Sequence, residues 1–432
     1  MGRMVKSDLN NIHKVHFIGI GGIGVSAVAR MFLLEGKQVS GSDRSESEVT
    51  RELAKLGAKI FVGHAAENVA NDIDLIIYTI AIPPDNPELA RAGELGIKAI
   101  TYPQALGLIS QDKQTIAVAG THGKTTTTAM LAQIVITAQL EPTVIVGSFL
   151  LDHASNFIAG RGDLFIVEAC EYQRSFLNLN PQIVIITNIE ADHLDYYRDL
   201  ADIQNAFSEL VSKLPVDGFL ICNPNDPNLA PVIKHAGCQI IDYIQFPTSN
   251  LKLPVPGAHN ILNAQAALAG AQILGVSPST SLRALNEFKG TWRRFQFKGQ
   301  LADDILIYDD YAHHPTEIRA TLAAAGEKFP ERRIVAVFQP HLYSRTRQLL
   351  ASFAESFIDA DQVLLAPIYA AREEPDGVTS SEQLAEAIGS KAANYPDLPA
   401  IATALKNTVQ PNDLIITIGA GNICEVAEAL LS

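Results

Sequence analysis

The stretch Thr115-Ile-Ala-Val-Ala119-Gly120-Thr121-His122-Gly123-Lys124-Thr125-Thr126-Thr127-Thr128 runs from an apolar segment into a glycine-bounded polar loop, and Ala129 to Thr137 then reads as a helix. In a strand–loop–helix unit of this kind, backbone N–H groups wrap phosphate oxygens, the lysine reaches the β- and γ-phosphates, and the next hydroxyl ligates Mg²⁺. The usual phosphate loop has its first glycine five positions before the second, which here is Val118; this chain keeps the Gly-Lys-Thr end and moves the first glycine to Gly120. A loop that merely turns the chain is the plainer reading, but such a string is improbable by chance between a strand and a helix. Gly120, Thr121, His122, Gly123, Lys124, Thr125 and Thr126 are therefore expected to bind ATP, with Thr125 on the metal.

Working outward from this stretch, short apolar runs alternate with helix-length amphipathic segments along nearly the whole chain. The runs include Val15–Ile18, Leu75–Ile80, Leu164–Val167, Ile183–Ile186, Ile305–Tyr308, Ile334–Phe338 and Leu414–Ile418. Runs that do not alternate read as strands buried on both faces, which implies parallel sheets covered by helices and an α/β class. Three domains are expected, at 1–109, 110–292 and 293–432. The first boundary falls near the polar link Ser110-Gln-Asp-Lys113 and the second at the basic cluster Trp292-Arg293-Arg294.

Bulk properties exclude several classes. A chain of 432 residues with 47 % hydrophobic and 19 % charged residues has an ordinary globular composition. A net charge of −14 gives no support to nucleic-acid binding. The four cysteines (Cys170, Cys222, Cys238 and Cys424) form no C-x-x-C pair, so free thiols in a reducing cytoplasm fit better than zinc or disulfides. No 18-residue apolar run is present, and Met1–Lys14 lacks an apolar signal core, so neither a membrane span nor export is expected.

A second chemical signal is Gly19-Ile20-Gly21-Gly22-Ile23-Gly24, placed after a strand and opening a helix from Val25 to Leu34. Small residues let the backbone approach a diphosphate at a helix N-terminus. Asp43 lies 19 residues after Gly24, at the end of the next strand, where a carboxylate can take a ribose hydroxyl. The pattern does not say which diphosphate is bound: a nicotinamide dinucleotide and a UDP-sugar both carry one, and a tight turn alone would also use the glycines. Glu168 ends one apolar strand and His193 follows another, so both can converge on the phosphate loop at the carboxyl ends of parallel strands. Carboxylate, imidazole and threonine hydroxyl together suit Mg²⁺ and phosphate, although histidine is an uncommon ligand for so hard an ion.

Further segments, in order, are Glu168-Ala-Cys-Glu171, Thr187-Asn-Ile-Glu-Ala-Asp-His193-Leu-Asp195, Gly257-Ala-His259-Asn260-Ile-Leu-Asn263, Arg293-Arg294-Phe295, Asp309-Asp310-Tyr311-Ala-His313-His314-Pro315 and Gln339-Pro-His341-Leu-Tyr343-Ser-Arg345. With the shortened Gly-Thr-x-Gly-Lys-Thr loop and the Gly19–Gly24 loop, the chain resembles the Mur ligase superfamily over essentially its full length, and within it the alanine-adding branch. The resemblance implies a Rossmann-like UDP-sugar domain, a central ATPase domain and a Rossmann-like C-terminal domain. It implies that L-alanine is joined to the carboxylate of UDP-N-acetylmuramate through an acyl phosphate, at the expense of ATP and with Mg²⁺ or Mn²⁺.

By the same resemblance, Gly19, Gly21, Gly22, Ile23, Gly24, Ser42 and Asp43 hold the UDP-sugar. Thr125, Glu168 and His193 hold metal. His259, Asn260 and Asn263 serve the nucleotide, although capping of the helix Ile261–Leu274 is the simpler use of one of the asparagines. Arg294 and Asp310 reach ATP from the third domain, Tyr311, His313 and Arg345 line the amino-acid pocket, and Lys124, His193, Arg294, Asp310 and His313 form the catalytic set. An arginine suits a carboxylate because it grips it with two parallel hydrogen bonds. Two departures stand out. Leu342 sits where some members carry a further arginine, and Asp202–Ala206 has no lysine where other branches carry a carbamylated one, a lysine that the alanine-adding branch also lacks. A cytoplasmic monomer or weak homodimer, bound to neither nucleic acid nor membrane, is expected.

Overall fold

The computed structural model describes residue 9 and residues 11–151, 155–371 and 373–432. Residues 1–8 and 10 of the stretch read for an export signal lie outside the described residues. The strands are β1 (Lys14–Ile18), β2 (Gln38–Asp43), β3 (Lys59–Val62), β4 (Leu75–Tyr78), β5 (Lys98–Thr101), β6 (Gln114–Ala119), β7 (Thr143–Leu150), β8 (Ser155–Ile158) and β9 (Leu164–Glu168). They continue with β10 (Ile183–Ile186), β11 (Phe219–Cys222), β12 (Gln239–Asp242), β13 (Gln296–Gln300), β14 (Leu306–Asp310), β15 (Ile334–Phe338), β16 (Gln362–Leu365), β17 (Ala392–Asn394) and β18 (Leu414–Ile418).

Three sheets form, in the orders β3-β2-β1-β4-β5, β12-β11-β10-β6-β9-β7-β8 and β13-β14-β18-β15-β16-β17. Pairing is parallel except for β7 with β8 and β13 with β14. The non-alternating apolar runs do form strands covered on both faces: β10, β15 and β18 are buried along their whole length, and β6 is buried after Gln114. The chain packs as two compact units. One holds the first two sheets, with Asn263–Leu285, and the other holds the third sheet, with Leu251–Leu262. Among the described residues no helix is long and apolar enough to cross a membrane.

Two helix boundaries differ from the sequence reading. The helix after the phosphate loop spans Lys124–Thr137, so it starts five residues before Ala129. A run of four threonines is a poor helix former because β-branched side chains lose χ1 freedom. Side-chain bonds offset this: Thr128 Oγ1 donates to the Lys124 carbonyl at 2.8 Å and Thr127 Oγ1 to Asn263 Oδ1 at 3.2 Å. Likewise the later helix spans Ala258–Ile273 and encloses both asparagines, so neither caps it. Asn260 instead donates back to the Pro256 carbonyl at 2.7 Å.

Beneath the first sheet's loops lies a buried polar hub. Glu88, fully buried on the helix Pro87–Leu95, accepts from Ser42 Oγ at 2.6 Å and Asn68 Nδ2 at 2.6 Å. His64 Nδ1 lies 3.3 Å away and His16 Nε2 3.8 Å away. Burial raises the carboxyl's pKa, but the nearby His16 and the hydrogen bonds from Ser42 and Asn68 outweigh it and hold it below the ordinary glutamate value. Its stabilising contribution is therefore complete above the ordinary glutamate pKa and lost as the pH falls through the lower folded value. Glu88→Leu is expected to destabilise the protein by about 3–5 kcal/mol in urea unfolding, because it strands several buried polar partners at once; a loss below about 1 kcal/mol would show that the hub relaxes or hydrates.

Candidate active site

In the first unit, β6 delivers the phosphate loop at the sheet's carboxyl edge, flanked by β10 and β9. Gly120 and Gly123 have φ of 130° and 82°, conformations that favour glycine. A Cβ on Gly123 would stand 2.3 Å from Asn263 Oδ1. The loop is fastened by the segment after β10: His122 N–H donates to Asn188 Oδ1 at 2.9 Å, Thr187 Oγ1 donates to the His122 carbonyl at 2.6 Å, and Glu190 N–H donates to Thr121 Oγ1 at 2.8 Å. Asn263 packs here, on the loop and on Thr127. His259 and Asn260 belong to the second unit.

Lys124 folds back over the loop. Its Nζ donates to the carbonyls of Gly120 (2.6 Å) and Thr121 (3.0 Å) and sits 3.0–3.1 Å from both oxygens of Glu171. Burial opposes the lysine's charge, but Glu171 outweighs it and the ammonium is held above its ordinary pKa. Glu171, 2 % exposed, was quoted in the sequence only as part of a motif; here it is the partner of Lys124. The same carboxylate lies 3.6 Å from His193 Nε2. His193 has φ of 54°, and its Nδ1 is buried without a hydrogen-bond partner among the described residues. A non-glycine residue held in this region stores strain of the kind found at functional sites.

Glu168 meets Thr125 as expected: Thr125 Oγ1 donates to Glu168 Oε1 at 3.1 Å, and Gly147 N–H holds Oε2 at 2.7 Å. A hydroxyl and a carboxylate in contact, both fixed at element ends, fit a hard divalent cation. The carboxylate against His193 is Glu171, so the three proposed ligands divide into a Thr125–Glu168 pair and a His193–Glu171 pair. Cys170 lies between Glu168 and Glu171 in sequence and is exposed.

The Gly19–Gly24 loop turns partly inward. Gly19 and Ile20 donate their N–H groups to the Ser42 carbonyl at 2.8 and 3.0 Å, and Gly21 donates to Asp43 Oδ2 at 2.8 Å. Asp43 Oδ1 accepts from Arg44 N–H at 2.8 Å, and the Ser42 hydroxyl is spent on Glu88. Ser42 and Asp43 thus shape the loop from behind, a use that the spacing did not reveal. Gly22, Ile23 and Gly24 open the helix Ile23–Leu34, whose start is tied to β8 by Asn156 Nδ2, which donates to the Ile23 carbonyl and to Ser26 Oγ. A cavity of about 240 Å³ lies where this helix start meets the second sheet, lined among others by Gly24, Tyr102, Gly147, Glu168 and Cys170. The helix start at Gly24 and the β9 end at Glu168 therefore border one space, and Glu168 in turn contacts Thr125 of the phosphate loop.

The second unit gathers its residues at the carboxyl ends of β14, β18 and β15. Asp310 accepts from Phe295 N–H at 2.7 Å and Ala312 N–H at 2.8 Å, and burial raises its pKa to about 6. Burial, helped by Arg294, lowers His259 to about 4, so this imidazole is neutral at pH 7. The neighbouring arginines part company. Arg293 is 3 % exposed and bonded to Asp309, whereas Arg294 keeps 28 % of its side chain exposed, lies 3.7 Å from Glu317 and covers the Tyr311 ring. Tyr311, His313, His341 and Arg345 form one cluster: ring centroids are 5.5 Å apart for Tyr311–His313 and 5.9 Å for His313–His341, and Arg345 Nη1 lies 3.3 Å from His341 Nδ1. Leu342 is 2 % exposed, with φ of 70°. Pro315 occupies the first helical turn, as expected, behind the capping side chain of His314.

The chain is similar to known proteins along nearly its whole length. The Mur ligase family catalytic-domain model matches residues 14–114, the Mur ligase middle-domain model 118–250 and the Mur ligase glutamate ligase domain model 293–421. A protein named UDP-N-acetylmuramate–L-alanine ligase from Clostridium acetobutylicum is 43 % identical over 99 % of this chain and 99 % of its own. The crystal structure of UDP-N-acetylmuramate–alanine ligase from Thermotoga maritima is 31 % identical with a TM-score of 0.81, covering 97 % of this chain and 98 % of that one. A murein peptide ligase from Psychrobacter arcticus is 26 % identical with a TM-score of 0.70, over 97 % and 98 %. With three matching models in the same order as the three sheets and near-complete coverage of the relatives, the chain belongs to the Mur ligase family.

Proposed function

We propose that this chain joins L-alanine to the carboxylate of UDP-N-acetylmuramate, converting ATP to ADP and phosphate, in peptidoglycan-precursor synthesis in the cytoplasm. The observation that carries it is the cavity of the first unit, which is bordered by the helix start at Ile23–Gly24 and by Glu168, the carboxylate that Thr125 of the phosphate loop contacts. A donor carboxylate bound from the Gly22–Gly24 side would meet the γ-phosphate there. The choice of alanine rests on the 43 % identical relative and its name.

The residues divide the work as follows. The Gly120–Thr126 backbone cradles the ATP phosphates, and Lys124 leaves its carbonyl and Glu171 contacts to neutralise the β/γ charge. The Thr125–Glu168 pair, and His193 beside Glu171, would hold Mg²⁺ or Mn²⁺, which would supply further charge neutralisation. Gly22, Ile23 and Gly24 present the helix N-terminus to the sugar diphosphate, with Gly19, Gly21, Ser42 and Asp43 shaping the loop. Arg294 and Asp310, with His259, Asn260 and Asn263, serve the nucleotide. Arg345 grips the amino-acid carboxylate, and Tyr311 and His313 line its pocket. The donor carboxylate attacks the γ-phosphorus, the bond to the β,γ-bridging oxygen breaks, and an acyl phosphate and ADP result. The amine then attacks that carbonyl, loses a proton to His193 or His313, and expels phosphate.

The test is phosphate release with UDP-N-acetylmuramate, ATP and Mg²⁺ in the presence of each amino acid in turn. L-alanine is expected to give the highest kcat/KM, with L-serine and glycine trailing by about 10–200-fold, the range that a single small group commands. Absence of amino-acid-dependent release with all three would sink the reading.

A further inference from the structure

The Arg293 side chain joins β14 to the loop after β18 in the second unit. Its Nη2 donates to the Gly419 carbonyl at 2.6 Å, its Nη1 to the Gly421 carbonyl at 2.8 Å and its Nε to Asp309 Oδ2 at 2.7 Å. Its own carbonyl accepts the Tyr311 N–H at 2.6 Å, and its guanidinium lies 5.3 Å from the Tyr311 ring centroid. Asp309 is locked in turn by Thr417 Oγ1 at 2.6 Å. Arg293, Asp309 and Thr417 are all 3 % exposed or less. A three-way fork of this kind needs the planar guanidinium, because an ammonium is a point donor that cannot span both carbonyls and the carboxylate.

The loop held by this fork, Gly419-Ala-Gly421-Asn422, follows β18 and precedes the helix Cys424–Leu431. Gly421 does not need glycine for its backbone, since its φ lies outside the left-handed range; it needs glycine for space. A Cβ there would stand 2.3 Å from Gln339 Oε1 and 2.7 Å from the Tyr369 ring. Tyr369 stacks on His341, with centroids 5.7 Å apart and planes at 17°, and His341 in turn contacts His313 and Arg345. Arg293 therefore reaches the acceptor cluster from two sides: directly through Tyr311, and through Gly421, Tyr369 and His341.

We propose that Arg293 is a positioning residue for the amino-acid acceptor pocket and that Gly421 sets the pocket's far wall, an inference resting on the assignment of Tyr311, His313 and Arg345 to that pocket. Arg293 touches no substrate; it fixes the segment that carries Tyr311 and the Gly419–Gly421 loop that backs Tyr369. The fork predicts a separation between charge and shape. Arg293→Lys keeps a cation beside Asp309 but releases the Gly419–Gly421 carbonyls.

The experiment is steady-state kinetics on the full chain, parent against R293K, with thermal melting of each. R293K is expected to raise KM for L-alanine at least tenfold while KM for UDP-N-acetylmuramate, whose proposed residues lie in the other unit, stays within twofold. Hydroxylamine, an amine with no carboxylate or side chain to seat, is expected to support phosphate release in R293K within about twofold of the parent. Should R293K melt too early to assay, Thr417→Val, one bond removed from the fork, is expected to raise the L-alanine KM in the same direction by a smaller factor. An unchanged L-alanine KM in both variants overturns the inference. So does an equal loss with UDP-N-acetylmuramate and hydroxylamine, which marks a merely structural role. A parent that releases phosphate with hydroxylamine but not with L-alanine overturns the proposed function instead, and this inference with it.

Discussion

Lys124→Met is expected to lower kcat for L-alanine-dependent phosphate release by about 10³-fold or more, the scale on which a single preorganised cation at transferring phosphate acts. Binding of UDP-N-acetylmuramate, read by titration calorimetry, is expected to stay intact, because the Gly22–Gly24 helix start does not touch the lysine. The same substitution carries a stability cost from a different source. Glu171 is 2 % exposed and sits 3.0 Å from the Lys124 ammonium, so removing the lysine leaves a buried carboxylate without its cation. Breaking a buried pair on one side costs about 3–5 kcal/mol. The double variant Lys124→Met/Glu171→Gln is expected to regain most of that stability in urea unfolding and none of the turnover. Turnover near the parent's in the single variant would falsify the phosphate-loop reading. Equal stability of the single and double variants would show that Glu171 finds other partners.

The fold was legible because its strands are buried on both faces, so continuous runs such as Ile183–Ile186 and Leu414–Ile418 stand out without any alternation. The phosphate loop was legible because backbone chemistry demands glycine at Gly120 and Gly123 and a lysine directly after. What stayed hidden depends on distance in sequence. Glu171 stands 47 residues from Lys124, and Asn263 136 residues from Thr127; no local pattern announces either pair. The Arg293-Arg294 dipeptide shows the limit sharply. Two adjacent arginines point to opposite environments, one bonded to Asp309 and the Gly419–Gly421 loop, the other partly exposed over Tyr311. The Gly419-Ala-Gly421 loop carries the same strand–glycine–helix signature as Gly19–Gly24, and its space requirement was the signal that could have found it. The threonine run misled for a physical reason: low helix propensity is overridden when the hydroxyls of Thr125, Thr127 and Thr128 bond to Glu168, Asn263 and the Lys124 carbonyl.

Glu168→Gln is expected to lower kcat by about 10²–10⁴-fold and to raise the Mg²⁺ concentration needed for half-maximal rate by at least about 100-fold, since it removes a charged oxygen ligand outright and second-sphere losses alone reach 10–100-fold. The protein should remain folded. Glutamine keeps the carboxylate's shape, and Thr125 Oγ1, which donates to Oε1 at 3.1 Å, can turn to accept from the new amide. Loss of charge and loss of position can be separated through Gly147. Its N–H holds Glu168 Oε2 at 2.7 Å, and a Cβ built on Gly147 would stand 2.8 Å from Oε1 and 2.9 Å from Oε2. Gly147→Ala leaves the charge in place and pushes the carboxylate off its seat. Its φ lies outside the left-handed range, so alanine meets no backbone penalty there. If Glu168 acts as a metal ligand, Gly147→Ala shifts the Mg²⁺ dependence in the same direction as Glu168→Gln by a smaller factor, and saturating Mg²⁺ restores most of its kcat. If Glu168 only anchors Thr125 and β7, Gly147→Ala lowers the melting temperature with no change in Mg²⁺ dependence. A Mg²⁺ titration of both variants beside the parent decides between the two, because a structural anchor has no reason to respond to the cation.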